Sequence, residues 1–130
     1  MTVAPAEHKV TVTDGMSAGE FIGLMYDAYG DGFNWQCSPY AESFAAELIT
    51  ELGEDDPFVR GRKVTNEAKC DSCDDMLFCS ADSSGSELWR IYHLTFSHRR
   101  EKKGWPIMTE FPSKKAALEY IRDTFIEEYL

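Results

Sequence analysis

The chain has 130 residues, 43% of them apolar, which is enough for a single domain spanning residues 1–130 to bury a core without disulfides or a metal. Its net charge of −10 repels phosphate backbones, so direct binding of nucleic acid is not expected. No apolar run approaches the roughly 18 residues of a membrane span, and no secretion signal opens the sequence, so we expect a cytoplasmic protein that does not enter membranes.

A first strand is predicted near the start of the sequence. Val10 and Val12 alternate with polar residues in HKVTVT, which is typical of a half-buried strand, and Asp14-Gly15 is a turn signal. The pattern therefore predicts a strand over residues 8–13. Whether this strand joins the main sheet is left open.

Two acidic helices are predicted next. Ser17 and Glu20 have the spacing of a capping box, and the apolar residues that follow recur at helical spacing, which predicts a helix over 17–29. Ser38 is a candidate N-cap with a proline directly after it, and this predicts a second helix over 39–52.

The second half of the chain predicts a sheet followed by a helix. Residues 76–79 and 88–96 are rich in aromatic and β-branched residues and flank the polar loop 82–86, so they predict a β-hairpin. A third hairpin strand is predicted over 105–111, and a closing helix over 114–129 with an apolar stripe.

The predicted fold class is α+β, with a small antiparallel sheet of about three to five strands. The C-terminal helix is expected on one face of the sheet, and the two N-terminal helices are expected as a pair at its side or end. The segment 55–66 has the weakest pattern and predicts a short strand or no regular element.

The negative charge is concentrated in the first part of the chain. Residues 1–56 contain eleven acidic residues and one cation, Lys9, so they carry the whole net charge of −10, whereas residues 57–130 contain twelve charges of each sign. Glu47, Glu51 and Glu54 make a stripe of one sign on and just beyond the second predicted helix, which destabilises an isolated helix. Because like charges at this spacing disfavour a helix, the stripe indicates a surface for a basic partner. The alternative is that the acids only aid solubility.

The first functional hypothesis is therefore a small acidic interaction protein, of the inhibitor or immunity type, that occupies the basic site of a partner protein. Its oligomeric state is left open. Aromatic residues near the centre of such an interface act as anchors. The candidate contact residues are Asp27, Asp31, Trp35, Tyr40, Glu42, Glu47, Glu51, Glu54, Asp55 and Asp56.

A cysteine cluster supports a second hypothesis, a zinc-stabilised or thiol-bearing domain. Cys70 and Cys73 have the spacing of a zinc knuckle, and Cys79 with the remote Cys37 completes four ligands. The absence of a second paired knuckle and the acidic neighbours of the cluster weigh against zinc, so no cofactor is required. The alternatives are a redox-active dithiol, or a buried Cys79 with the other thiols at the surface.

An enzyme is the least favoured class, because no nucleophile elbow, zinc-protease helix or phosphate-binding loop is present. Cys37 precedes the second predicted helix, where a helix dipole lowers a thiol pKa, but no base is placed beside it. A third hypothesis is a small-ligand pocket between the sheet and the first two helices, lined by Trp35, Tyr92 and His93. The cation-rich segment 98–103 is expected to be a solvated hairpin tip, or to pair with the acids of this fold or of a second copy.

Overall fold

The computed structural model describes residues 9–129, which form three helices and one five-stranded antiparallel sheet. The predicted α+β class is confirmed. In chain order the elements are α1 (Ala18–Tyr29), a short 3-10 helix (Gly30–Gly32), β1 (Trp35–Gln36), α2 (Ala41–Leu52), β2 (Lys63–Cys70), β3 (Asp75–Ala81), β4 (Glu87–His93), β5 (Ile107–Phe111) and α3 (Lys114–Tyr129).

The sheet is a meander in which each strand pairs with the next along the chain, in the order β1-β2-β3-β4-β5. In the predicted hairpin, Leu77 lies opposite Ile91, and the β4–β5 pair places Ile91 opposite Thr109. A bulge between Asn66 and Ala68 interrupts the β2–β3 ladder. β1 and β5 are therefore the two edges of the sheet.

Helices cover both faces of the sheet. Phe21 of α1 and Phe125 of α3 pack with Leu77 in one core cluster, on one face. Leu48 of α2 packs with Phe78 in a second core cluster, on the other face. The two N-terminal helices are thus separated by the sheet, and the expected side-by-side pair of acidic helices does not form. The outcome is a three-layer arrangement, with α1 and α3 on one side and α2 on the other.

The strand predicted over 8–13 is wrong for the described residues 9–13, which form no strand; His8 lies outside the described part of the chain. Val10 and Val12 are nevertheless buried in the core beside α1 and α3. The carbonyl of Val10 accepts a hydrogen bond from the Arg122 guanidinium of α3, at 3.0 Å, in place of a strand partner. The alternating pattern correctly predicted that the two valines are buried, but it wrongly predicted a strand. A strand also needs a free sheet edge with which to pair.

The predicted helix boundaries are largely confirmed. Ser17 caps α1, its hydroxyl accepting a hydrogen bond from the Glu20 amide at 3.1 Å. α2 begins at Ala41 instead of residue 39, since Ser38 closes a turn by accepting a hydrogen bond from the Tyr40 amide. Ser38 is therefore not an N-cap, and that prediction was wrong.

The strand predictions were correct for the hairpin and incomplete elsewhere. β2 starts inside the segment 55–66 and extends to Cys70, which makes it one of the longest strands of the sheet. β1 has only two residues and was not predicted. β5 begins at Ile107, after Pro106, and is shorter than the predicted 105–111. No helix within residues 9–129 is long and apolar enough to cross a bilayer.

Candidate binding site

The central acids of α2 bond to a loop of this chain. The Glu51 side chain has none of its surface exposed, and its carboxylate accepts hydrogen bonds from the Thr95 amide at 2.9 Å and the Phe96 amide at 3.0 Å. The Thr95 hydroxyl lies 2.9 Å from the same carboxylate. Glu51 therefore serves as an acceptor for the loop that leaves β4.

Glu47 holds the next part of the same loop. Its carboxylate accepts from the His98 amide at 3.2 Å and lies 2.6 Å from the His98 Nδ1 atom. Phe96 and His98 both have positive φ, 56° and 58°, a region that residues other than glycine seldom occupy. Each of these two residues donates its amide hydrogen to one of the α2 carboxylates, so the two acids stabilise a strained loop conformation.

Burial and hydrogen bonding shift the pKa values of Glu47 and Glu51 in opposite directions. Burial raises the pKa of Glu51, and a hydrogen bond to Glu47 raises it further. In Glu47 burial acts in the same upward direction, but the hydrogen bonds from Glu51 and His98 outweigh it and lower the pKa. The two carboxyl groups contact each other, so one proton between them is favoured over two full charges.

Because of this internal role, the prediction that Glu47 and Glu51 contact a partner needs correction: their carboxylates are buried against the 95–98 loop. Trp35 is also buried, with 8% of its surface exposed, and is not a protruding anchor. Asp56 is half-buried and accepts a hydrogen bond from the Phe58 amide at 2.9 Å. The candidate contact residues that do lie exposed are Asp27, Asp31, Tyr40, Glu42, Glu54 and Asp55.

A cavity of about 280 Å³ lies between α3 and the end of the sheet where β2 turns into β3. Its apolar lining comes from Trp35, Ile91, Ile121 and Phe125. Tyr120, with 45% of its surface exposed, stands beside this lining. Drug-sized ligands use pockets of about 300–1,000 Å³, so this volume suits a group the size of one side chain. We call it the α3 cavity.

The polar lining of the α3 cavity combines hydroxyl groups with two carboxylates. Asp75 and Glu128 contribute carboxylates to its lining. The Asn34 Oδ1 atom is buried and has no hydrogen-bond partner among the described residues, whereas its amide nitrogen donates to Ser72 Oγ at 3.2 Å. The two carboxylates of the lining favour a ligand that brings hydrogen-bond donors.

The turn between β2 and β3 adds exposed acids next to the α3 cavity. Asp71 and Asp74 are both exposed in this turn, and the Asp71 amide donates to the Asn34 carbonyl at 2.7 Å. Burial raises the pKa of the Tyr26 hydroxyl, and the charges of Asp71 and Asp31 raise it further, so both acids lie near that hydroxyl. We call Asp31, Asp71, Asp74, Asp75 and Glu128 the acidic rim. The neighbouring cation Lys69 bonds to the Cys70 carbonyl at 3.1 Å.

Asp75 is the member of the acidic rim with a clear partner in the chain. Its carboxylate lies 2.9 Å from Nδ1 of His93, the residue opposite it in the β3–β4 ladder. The ligand pocket predicted between Trp35, Tyr92 and His93 does not form. Trp35 packs in the core on the α1 and α3 face, whereas Tyr92 packs in the core on the α2 face.

The cysteines do not assemble into a four-ligand site. Only Cys70 and Cys73 contact each other; Cys37 lies 3.6 Å from the Glu67 carbonyl, and Cys79 lies 3.7 Å from the Glu87 carboxylate. Within residues 9–129 no three His, Cys, Asp or Glu side chains are grouped to hold a metal. The predicted zinc set Cys37, Cys70, Cys73 and Cys79 therefore lacks the required geometry.

The thiols of Cys37, Cys73 and Cys79 all have raised pKa values. Burial, then the contact with Cys70, raises the pKa of Cys73 to about 12, and burial with the nearby Glu87 charge raises that of Cys79 to about 12. Burial and the Glu67 charge raise the pKa of Cys37. The lowered pKa considered for Cys37 was wrong, because α2 starts four residues later and burial and the Glu67 charge disfavour the thiolate.

No protein-family model, no curated protein and no solved structure matches this chain. Sequence reasoning missed Asn34, Tyr120 and Glu128, which lie far apart in the chain and meet only when α3 packs on the sheet. The usable signal was the acidic turn of KCDSCDD, which we read for its cysteines and not for its carboxylates.

Proposed function

We propose that this protein is an acidic interaction module that binds a basic partner protein, with the α3 cavity as the anchoring site for one cationic side chain of that partner. The observation that carries the proposal is the α3 cavity, in which the carboxylates of Asp75 and Glu128 join an apolar and aromatic lining. A cation with several N–H groups can donate to both carboxylates while its apolar stem contacts the lining.

Arginine is the cation that suits this lining best. Its guanidinium group offers five donors in one plane and stacks on aromatic rings, whereas a lysine ammonium is a compact point charge. The α3 cavity has Trp35 and Phe125 in its walls and Tyr120 at its opening. An arginine stem can contact these rings while its donors reach Asp75 and Glu128.

The acidic rim supports the same proposal by its long-range effect. Exposed carboxylates add little to affinity one by one, but together they speed encounter with a basic surface and make the association rate sensitive to salt. A module of this kind acts as an inhibitor, or as an immunity-type protein, when the captured arginine belongs to the partner's basic working site. The proposed contact surface lies on the face of the sheet opposite α2.

Short peptides test the proposal directly. Calorimetry at low salt compares a tripeptide with central arginine with the same tripeptide carrying citrulline, which keeps the shape and loses the charge. We expect the arginine peptide to bind about tenfold more tightly or better, the value of one charged hydrogen bond. Chemical-shift changes should centre on the Trp35 indole and the Tyr120 ring.

A matched pair of variants locates the binding. Glu128→Gln removes one acceptor charge from the α3 cavity and should weaken the arginine peptide several-fold. Glu54→Gln makes the same charge change at an exposed position beyond α2 and should leave binding unchanged. Equal affinity for arginine and citrulline peptides, or equal loss in both variants, would refute the proposal.

A further inference from the structure

The β5 edge of the sheet is open and apolar. β5 pairs with β4 on one side and has no strand on its other side among the described residues. Ile107 and Met108 expose 53% and 43% of their surfaces, and Trp105, just before the strand, exposes 40%. Sheet edges are usually shielded by charge, because their free N–H and C=O groups pair readily with another extended chain.

A basic loop leads into this edge. Arg99, Arg100, Lys102 and Lys103 are all exposed, and none of them makes an ion pair within residues 9–129. The one acid of the loop, Glu101, directs its carboxylate to the Thr95 hydroxyl at 3.1 Å. The loop therefore presents four cations to solvent, and we call residues 99–103 the basic loop.

A groove joins the basic loop to the β5 edge. Two cavities, of about 380 and 370 Å³, share Leu52, Asp56, Gly104 and Trp105; the first extends to Met108 and the second to the basic loop. The acids along this groove have partners in the chain. Asp56 accepts from the Phe58 amide, and Glu110 pairs with Arg90 at 2.8 Å. The charged residues that line the two cavities are four cations, Arg90, Arg100, Lys102 and Lys103, and two acids, Asp56 and Glu101, so the net charge of the groove is positive.

We propose that the β5 edge binds an extended segment of a partner protein as a sixth strand, and that this segment has an apolar middle and acidic residues at its flank. Main-chain hydrogen bonds to β5 supply affinity without sequence preference, whereas side-chain contacts select the segment. Ile107 and Met108 select apolar residues, and the basic loop selects carboxylates. This acid-seeking surface is separate from the acid-lined α3 cavity.

Charge disfavours a second copy of this chain as the occupant. Two β5 strands paired antiparallel about Thr109 would bring the basic loop of one copy to the start of α3 in the other. In that register Ile107 lies opposite Phe111 and Met108 lies opposite Glu110, and the cations Lys114 and Lys115 begin α3 just beyond the strand pair. The cations of the basic loop and those at the start of α3 then repel each other, whereas an acidic segment meets the same cations favourably.

Two designed peptides test the proposal. Both alternate valine and threonine in the middle; one has pairs of aspartates at its ends and the other has pairs of lysines. We expect the aspartate peptide to bind at least about tenfold more tightly at low salt. Hydrogen exchange should slow at amides of β5 and not at β1, because only β5 gains a strand neighbour.

Three variants separate charge from apolar contact. Lys102→Glu with Lys103→Glu should abolish the preference for aspartate, whereas Lys63→Glu, an exposed cation on β2, should keep it. Met108→Ser leaves the charges unchanged and should weaken the aspartate peptide several-fold; unchanged thermal unfolding confirms that the variant folds. Equal binding of the two peptides, protection outside β5, or a dimer of this chain that buries β5 in sedimentation experiments overturns the proposal.

Discussion

The acids of α2 and the acids of the β2–β3 turn are alike in sequence and opposite in use. Glu47 and Glu51 are buried and bond to the 95–98 loop, whereas Asp71 and Asp74 are exposed beside the α3 cavity. In both places like charges are close together, so charge density alone does not distinguish an internal acceptor from a surface charge. What distinguishes them is whether a loop with free amides folds back onto the carboxylate.

The largest effect is expected from truncating the internal acceptor. Glu51→Ala leaves the amides of Thr95 and Phe96 buried without their acceptor, and should lower the free energy of unfolding by about 3 kcal/mol. Urea denaturation measures this change. Glu54→Ala, on an exposed acid just beyond α2, is the matched control and should stay within about 0.5 kcal/mol of the unmodified protein. Similar losses in both variants would remove the distinction between the two kinds of acid.

A smaller effect is expected from pH. Between the ordinary glutamate pKa of 4.5 and the raised pKa of Glu51, the folded state keeps a proton that the unfolded state loses, so stability falls as pH rises. Between 4.5 and the lowered pKa of Glu47, the unfolded state takes up more protons, so stability falls as pH falls. The contribution of the pair is therefore greatest near pH 4.5.

Urea midpoints across a pH series measure this dependence in the unmodified protein and in a Glu47→Gln, Glu51→Gln double variant. The difference between the two curves isolates the pair from the other carboxyl groups. A difference that does not change with pH would show that the two glutamates have ordinary acidities in the folded state.

The exposed acids should matter little for stability. Asp71→Asn and Asp74→Asn together should change the free energy of unfolding by less than about 0.5 kcal/mol, because both side chains are solvated. Asp71→Asn has a specific second readout, since the Asp71 charge helps to raise the pKa of Tyr26. Ultraviolet titration should show the Tyr26 hydroxyl ionising at lower pH in this variant, and an unchanged titration would place Asp71 away from it.

No stability change is expected from a metal chelator. A structural zinc site contributes its binding free energy to folding, so its removal lowers the melting temperature. Here only two thiols contact each other, and the pKa of Cys73 is raised to about 12, whereas a zinc ligand is a thiolate. Melting curves with and without chelator should coincide, and a lower melting temperature with chelator would restore the zinc hypothesis.

Patterns confined to one element were predictable from the sequence. The apolar stripes of α1 and α3, the capping box at Ser17 and the hairpin around residues 82–86 all depend on neighbours a few residues apart. For the segment where β2 begins, the sequence left a short strand and no regular element as alternatives. Its residues, KVTNEAKC, contain few apolar or aromatic side chains, and a bulge shifts the alternation at Asn66. β1, at two residues, is too short to have a pattern.

The candidate site was predictable only in part. The acidic turn is visible in the sequence, but the α3 cavity needs Asn34 and Glu128 side by side, and they are separated by most of the chain. The reading of Glu47 and Glu51 as surface charges failed for the same reason. Their partners are main-chain amides of the 95–98 loop. The residue types in that loop do not indicate that its amides lack main-chain partners.

The joining of α1 and α3 in one core has a consequence for synthesis on the ribosome. Phe21, Met25 and Val10 need contacts from α3, which is made after every other described element. The strands of the meander pair with their immediate successors and can assemble as they emerge. Part of the apolar side of α1 therefore stays uncovered until α3 has left the exit tunnel, and during this interval the nascent chain is more exposed to aggregation.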